Sequence, residues 1–111
     1  MNATDVRIRA MRFLNETVSQ LKSRSFAAIQ DIPEYPASTK IDLGVPGDLV
    51  DQKCMFVLMK DTLPDGTIRV AVQYARPRFF GVMTDMGVDG FVISADGAMR
   101  ELSQQDCWDL T

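Results

Sequence analysis

Four residues, Leu63-Pro64-Asp65-Gly66, separate two runs of strand-forming residues and leave the chain little choice but to double back on itself. A proline presets the backbone at the first central position of a turn, and a glycine takes the positive φ that closes it. Upstream, residues 53–60 are apolar on both faces, as a strand covered on both sides would be. Downstream, residues 67–76 alternate. Ile68, Val70, Val72 and Tyr74 point one way, and Thr67, Arg69, Ala71 and Gln73 the other. The pattern predicts a central antiparallel hairpin over residues 53–76, with Phe56, Leu58, Val70 and Val72 buried.

The first 24 residues have a helical period. At ~100° per residue, Val6, Ala10, Met11, Phe13, Leu14, Thr17, Val18 and Leu21 fall within a stripe of about 160°. Arg9, Arg12, Asn15, Glu16 and Ser19 lie opposite; Ile8 falls outside the stripe and Arg7 inside it. Thr4 or Asp5 is the expected N-cap, and the helix should end between Ser23 and Ser25. Pro33, Pro36, Gly44, Pro46 and Gly47 then break regular structure, leaving room for a short strand at 39–45 and one helical turn at 47–52.

Beyond the hairpin, Pro77 is expected to interrupt pairing before an apolar run at 78–84 and a further strand at 88–94. Asp96-Gly97 makes a tight turn into residues 98–102. Ser103 and Asp106 have the spacing of a capping box with Asp in place of Glu. That predicts a closing helix over 104–110, docked on the sheet by Trp108 and Leu110. Segregated helices and hairpin-linked strands mean α+β. The expected fold is one domain over residues 1–111: a long N-terminal helix packed on a curved antiparallel meander of four to five strands, with a short C-terminal helix.

What the chain lacks narrows its chemistry. None of the 111 residues is histidine. That removes the commonest general base, the Ser-His-Asp and Cys-His nucleophile arrangements, and nearly all catalytic zinc sites. The longest uncharged apolar stretch, Cys54 to Met59, falls far short of the roughly 20 residues that span a bilayer, so no membrane contact is expected. Asp5, Arg7, Arg9 and Arg12 interrupt any signal-peptide core, which points to a cytoplasmic location with Cys54 and Cys107 as free thiols. The net charge of −3 is unevenly spread: residues 1–24 hold five basic and two acidic groups, residues 79–111 one and six. An acidic balance argues against nucleic acid as the main partner.

Several constellations have both a functional and a structural reading. Residues 85–96 resemble the calcium loop of EF-hand proteins, with Asp85 and Asp89 at positions one and five and Gly90 at the sharp turn. Gly87 stands where a ligand is needed, however, and Asp96 where a longer Glu normally bites. The competing reading is a β-turn at 86–90 followed by a strand. Arg76 and Arg78 could clamp an anion near a strand end, or simply pair with local acids. Met55, Met59 and Met83 are expected to fill the core. Cys54, in apolar surroundings, is a poor nucleophile. Almost all the carboxylates, among them Asp31, Asp48, Asp65, Asp89 and Asp96, fall at expected turns.

The sequence is therefore read as a non-enzymatic protein-binding module, of the immunity, inhibitor or accessory regulatory kind. It would meet a partner with a basic surface through an acidic C-terminal face of Asp85, Asp89, Asp96, Glu101, Asp106 and Asp109. The alternative is a small-ligand-binding domain or histidine-free hydrolase with a pocket between helix and sheet. No cofactor and no metal are expected. Calorimetric titration should accordingly show no calcium affinity tighter than about 10⁻⁴ M and no specific zinc binding.

Overall fold

In the computed structural model, which describes residues 2–78 and 83–106 (the side chains of Arg78 and Met83 aside), the hairpin closes as its turn residues demand. The Gly66 amide donates to the Leu63 carbonyl at 2.9 Å and the Leu63 amide to the Thr67 carbonyl at 2.7 Å. Gly66 has φ 88°. Asp65 Oδ1 accepts from the Thr67 hydroxyl and amide, which holds the Asp65 carboxyl below its ordinary range.

Strand β1 (Met55–Thr62) pairs antiparallel with β2 (Ile68–Arg78), placing Phe56 beside Tyr74, Leu58 beside Val72 and Lys60 beside Val70. The ladder starts two residues later than the sequence suggests because Lys53 turns into the left-handed region at φ 62°. There it closes helix α3 (Gly47–Asp51). The Lys53 amide reaches the Val50 carbonyl and the Cys54 amide the Leu49 carbonyl, the paired bonds of a Schellman motif.

Pro77 does not interrupt pairing: β2 runs through it, and Pro77 lies opposite Thr84. β1 has already ended at Met55, opposite Ala75, so β2 has only one neighbour at Pro77 and a missing N–H breaks no ladder on the free side. Nor is there a turn at 86–90. Residues 83–93 form one strand, β3 (Met83–Ile93), where two were expected. Its glycines serve packing instead. A Cβ on Gly90 would overlap the Val70 carbonyl oxygen, and one on Gly87 would fall 2.6 Å from Met11 Sδ. Asp85 and Asp89 thus lie along a strand and not in a calcium loop. The short β4 (Met99–Glu101) pairs with Phe91–Ile93 through a turn at Gly97, giving a four-stranded meander in the order β1-β2-β3-β4.

Helix α1 (Ala3–Lys22) lies across one face of this sheet. Val6, Ala10, Leu14, Thr17, Val18 and Leu21 are buried, Met11 and Phe13 pack at the margin, and Ile8 is exposed, as the period requires. Its cap is Asn2, not Thr4 or Asp5. The Asn2 Oδ1 accepts from the Asp5 amide at 2.9 Å, which places both expected caps inside the first turn. Opposite the stripe, Phe56, Leu58, Ile68, Val70, Val72, Tyr74, Phe91 and Ile93 complete the core.

Between α1 and the sheet the chain makes a short helix, α2 (Phe26–Gln30), which the sequence reading missed although Ser25 caps it. The strand expected at 39–45 is absent. Residues Ala37–Lys40 form a 3-10 turn instead, with Thr39 and Ile41 amides bonded back to Pro36 and Ser38. The alternation at Ile41, Leu43 and Val45 reflects side chains packed on the core without a ladder. Ser103 and Asp106 form the expected reciprocal cap. The Ser103 amide donates to Asp106 Oδ2 at 2.9 Å and the Asp106 amide to Ser103 Oγ at 3.1 Å, opening a C-terminal helix at 104. The docking of Trp108 and Leu110 lies outside the described residues.

Val72 is fully buried between Leu58 and Asp89 in the central strand. Val72→Ala is expected to cost about 1–3 kcal/mol through lost burial and a cavity. A denaturant midpoint equal to wild type would overturn the assignment of this core.

Candidate functional site

Strand alternation gives the sheet a second face, turned away from α1, and the described residues cover only part of it. Residues 102–106 fold over one half. Leu102 packs on Met59 and Ala71, both buried, and reaches Gly90. Asp106 holds the segment down. Its carboxylate takes Arg100 Nη1 at 2.7 Å and Arg69 Nη1 at 3.4 Å, while Arg69 also pairs with Asp61 through Nε at 2.8 Å. Arg69 and Asp106 are both buried, so each charge depends on the other and on its remaining partners. The donors from Arg100 and the Ser103 amide hold the Asp106 carboxyl well below the usual carboxylate range.

The other half of the second face is bare among the described residues. Register places Met55, Ala75 and Met86 in one row across three strands and Val57, Gln73 and Val88 in the next. Met55 is 56% exposed, Met86 51% and Val88 39%. Neighbouring strands lie about 4.8 Å apart, so the rows make a strip about 10 Å wide that is apolar except for the half-buried Gln73. Of the methionines expected in the core, Met59 is buried, Met55 is exposed, and the side chain of Met83 lies outside the described residues.

The strip runs out to an open edge. β4 covers β3 only over Phe91–Ile93, and residues 84–90 have no strand beside them among the described residues. The backbone groups facing outward belong to the even-numbered residues. The Ser94 amide bonds to Ala98 on that side, Arg7 donates to the Met86 carbonyl at 3.2 Å, and the Gly90 amide donates to Asp89 Oδ1 at 2.8 Å. The opposite edge is partly occupied: the Tyr35 amide bonds to the Lys60 carbonyl and Ser38 Oγ to that of Leu58.

The six acids of the expected C-terminal face have separate fates. Asp85 turns toward α1, where it pairs with Arg7 at 2.5 Å and accepts from the Tyr74 hydroxyl at 3.1 Å. Asp106 is the anchor just described. Asp96 organises the β3–β4 turn, accepting from Ser94 Oγ and the Ala98 amide, which lower its pKa. Asp89 and Glu101 remain together at the end of the open edge, where they line a cavity of 210 Å³ with Lys22, Val88, Gly90 and Leu102. Asp109 lies outside the described residues. Arg76 does not stand as one half of a free anion clamp. It donates to the Gln52 carbonyl at 2.9 Å and to Gln52 Oε1 at 3.3 Å, tying the end of α3 to β2, while the side chain of Arg78 lies outside the described residues.

Two further polar groups are absorbed by structure. Lys60 is buried on the apolar face, where its ammonium donates to the Gln30 and Ile32 carbonyls at 2.9 and 2.7 Å and lies 3.5 Å from Glu34. Nothing in the period-two pattern could have found it, because its partners are carbonyls of a distant loop. Cys54 is buried, and that burial raises its thiol pKa. Tyr74 is raised too, first by burial and then by its bond to Asp85.

No family model matches the chain, and no curated protein or solved structure matches it.

The Asp106 anchor has a signed pH dependence. Its folded pKa is depressed, so its contribution is complete above the unfolded value of about 3.9 and fades as pH falls below it. Asp106→Ala should cost about 1–3 kcal/mol near neutral pH and strip amide protection from residues 102–106. Below about pH 3 the stability difference from wild type should shrink. A difference constant down to pH 2 would refute this electrostatic role.

Proposed function

We propose that this chain is a non-enzymatic protein-binding module that docks on a larger partner through the bare half of its second sheet face. The observation that carries this reading is the strip of exposed Met55, Met86 and Val88 with half-buried Val57 and Ala75 between them, on a sheet whose other face is filled. Contiguous exposed apolar surface bordered by polar groups is the usual signature of an interaction site. The acidic character expected of the surface narrows to Asp89 and Glu101 at the end of the β3 edge, which favour a partner with basic groups. A role as immunity, inhibitor or accessory regulatory protein in the cytoplasm belongs to the same proposal; among the described residues no helix is long and apolar enough to cross a membrane.

The alternative, a ligand or substrate pocket between helix and sheet, has less to support it. Leu14, Phe56, Tyr74 and Phe91 occupy that space, and Phe13 meets Phe56 edge-on with centroids 4.8 Å apart. A cavity of 120 Å³ remains near the end of α1, lined by Leu21, Ile32, Ile41 and Leu58 among others. The buried carboxylate, Asp106, sits on the other face and is held charged, the wrong state for a general acid. Basic residues of α1 also favour a protein partner over nucleic acid, since Arg7 and Arg9 are paired with Asp85 and Asp48.

The test is capture from native cells at low salt, identification of the retained protein, and reconstitution from purified components. Met55→Lys and Met86→Lys should each weaken the reconstituted complex by about tenfold or more, as central apolar contacts do. Asp89→Asn with Glu101→Gln should lower the association rate at about 0.01 M salt, where screening extends about 30 Å, and have little effect at about 0.15 M, where it falls to about 8 Å. Affinity and rate unchanged in all of these variants would rule the surface out.

A further inference from the structure

We propose that the partner adds an extended strand to the open edge of β3, with basic side chains on the α1 side and apolar side chains on the other. This rests on the reading of the chain as a binding module and specifies how it binds. Strand addition supplies main-chain hydrogen bonds for affinity and alternate side-chain contacts for specificity. The slot beside residues 84–90 continues the line of β4, which leaves the sheet at Leu102 and crosses to the second face.

Chemistry on the two sides of the slot sets the sequence of the occupant. Toward the second face, Met86 and Val88 extend the exposed strip, so an incoming strand continues it with apolar side chains. Toward α1, Asp85 is already held by Arg7, so Asp89 on β3 and Glu101 at the end of the slot set its charge. The cavity there holds two carboxylates against one ammonium, that of Lys22, and suits the head of a lysine or arginine.

Among the described residues, two side chains guard the edge. Arg7 covers the Met86 carbonyl and Asp89 the Gly90 amide. Charged side chains on an edge are a usual means of blocking unwanted pairing. Arg7 has a half-exposed side chain, and its guanidinium can stay with Asp85 after releasing the carbonyl. An incoming strand replaces both caps with backbone groups. A basic residue of that strand then takes up the Asp89 carboxylate.

The experiment uses the full chain and an end-blocked octapeptide alternating arginine and valine, with an alternating glutamate–valine peptide as control. Amide exchange is followed residue by residue by NMR. The arginine–valine peptide should slow exchange at Thr84, Met86, Val88 and Gly90 by about tenfold or more. Asp85, Gly87 and Asp89, whose amides already face β2, should not change. Val88→Pro removes an outward N–H without touching the β2 ladder, so this variant should stay folded and lose the peptide. Asp89→Lys with Glu101→Lys should reverse the preference toward the glutamate–valine peptide.

Absence of peptide binding, or protection without the even–odd difference, would overturn strand addition. So would even-residue protection that grows with the protein's own concentration, the mark of a second copy. Protection already present in the free chain and lost on deleting residues 107–111 would give the slot to its own C-terminus and overturn the proposal as well. Reconstituted partner binding that survives Val88→Pro but is lost in Met55→Lys, two strands from the edge, would reject strand addition while leaving the binding-module reading in place.

Discussion

The structure depends on one packing relation, the apolar stripe of α1 laid against the helix-facing side of β2. Ile68, Val70, Val72 and Tyr74 are fully buried there, facing Val6, Ala10, Leu14 and Val18. A short hairpin is marginal in water by itself, and a protein helix draws most of its stability from packing its apolar face. Each becomes stable by covering the other's apolar face. β2 is also paired on both sides, so its position fixes the register of β1 and β3 together.

That packing dictates where polar groups must find partners. Lys60 falls on the buried side of β1, and the loop through Gln30 and Ile32 supplies carbonyls to its ammonium. Arg69 falls on the other side of β2, where Asp61 and Asp106 neutralise it. Both arrangements solve the same problem, a charge removed from water by strand alternation. Each also ties down a segment with little regular structure. Lys60 fixes the loop that lies along the β1 edge, and Arg69 fixes the C-terminal segment on the second face.

The surfaces left over are those that neither tie reaches. Residues 102–106 cover the half of the second face nearest Arg69, and the half around Met55 and Met86 has no cover among the described residues. β4 is three residues long, and among the described residues most of the β3 edge has no ladder. The exposed strip and the open edge therefore meet at Met86 and Val88. Arg7 and Asp89 guard the edge, which reconciles an unpaired strand with a chain that must avoid pairing with copies of itself.

Elements with a strong local signal were legible in the chain, although α2, whose Ser25 cap is just as local, was not. Leu63-Pro-Asp-Gly66 fixed the hairpin because turn geometry depends on the residues in the turn. The 3.6 period of α1 named its buried residues because a helix repeats its own face, and Ser103 with Asp106 named a cap satisfied within four residues. Tertiary structure decided whatever depends on a distant neighbour. Pro77 reads as a strand breaker, yet pairing continues because β1 has already ended beside it. Gly87 and Gly90 read as turn residues, yet they are small because Met11 and the Val70 carbonyl lie against them. Six acids close in sequence read as one face. Folding turned Asp85 inward to Arg7 and Tyr74, buried Asp106 against Arg69, set Asp96 in a turn, and left Asp89 and Glu101 side by side at the open edge. Sequence spacing carries no information about such partners, because charge is neutralised by what lies nearby in space.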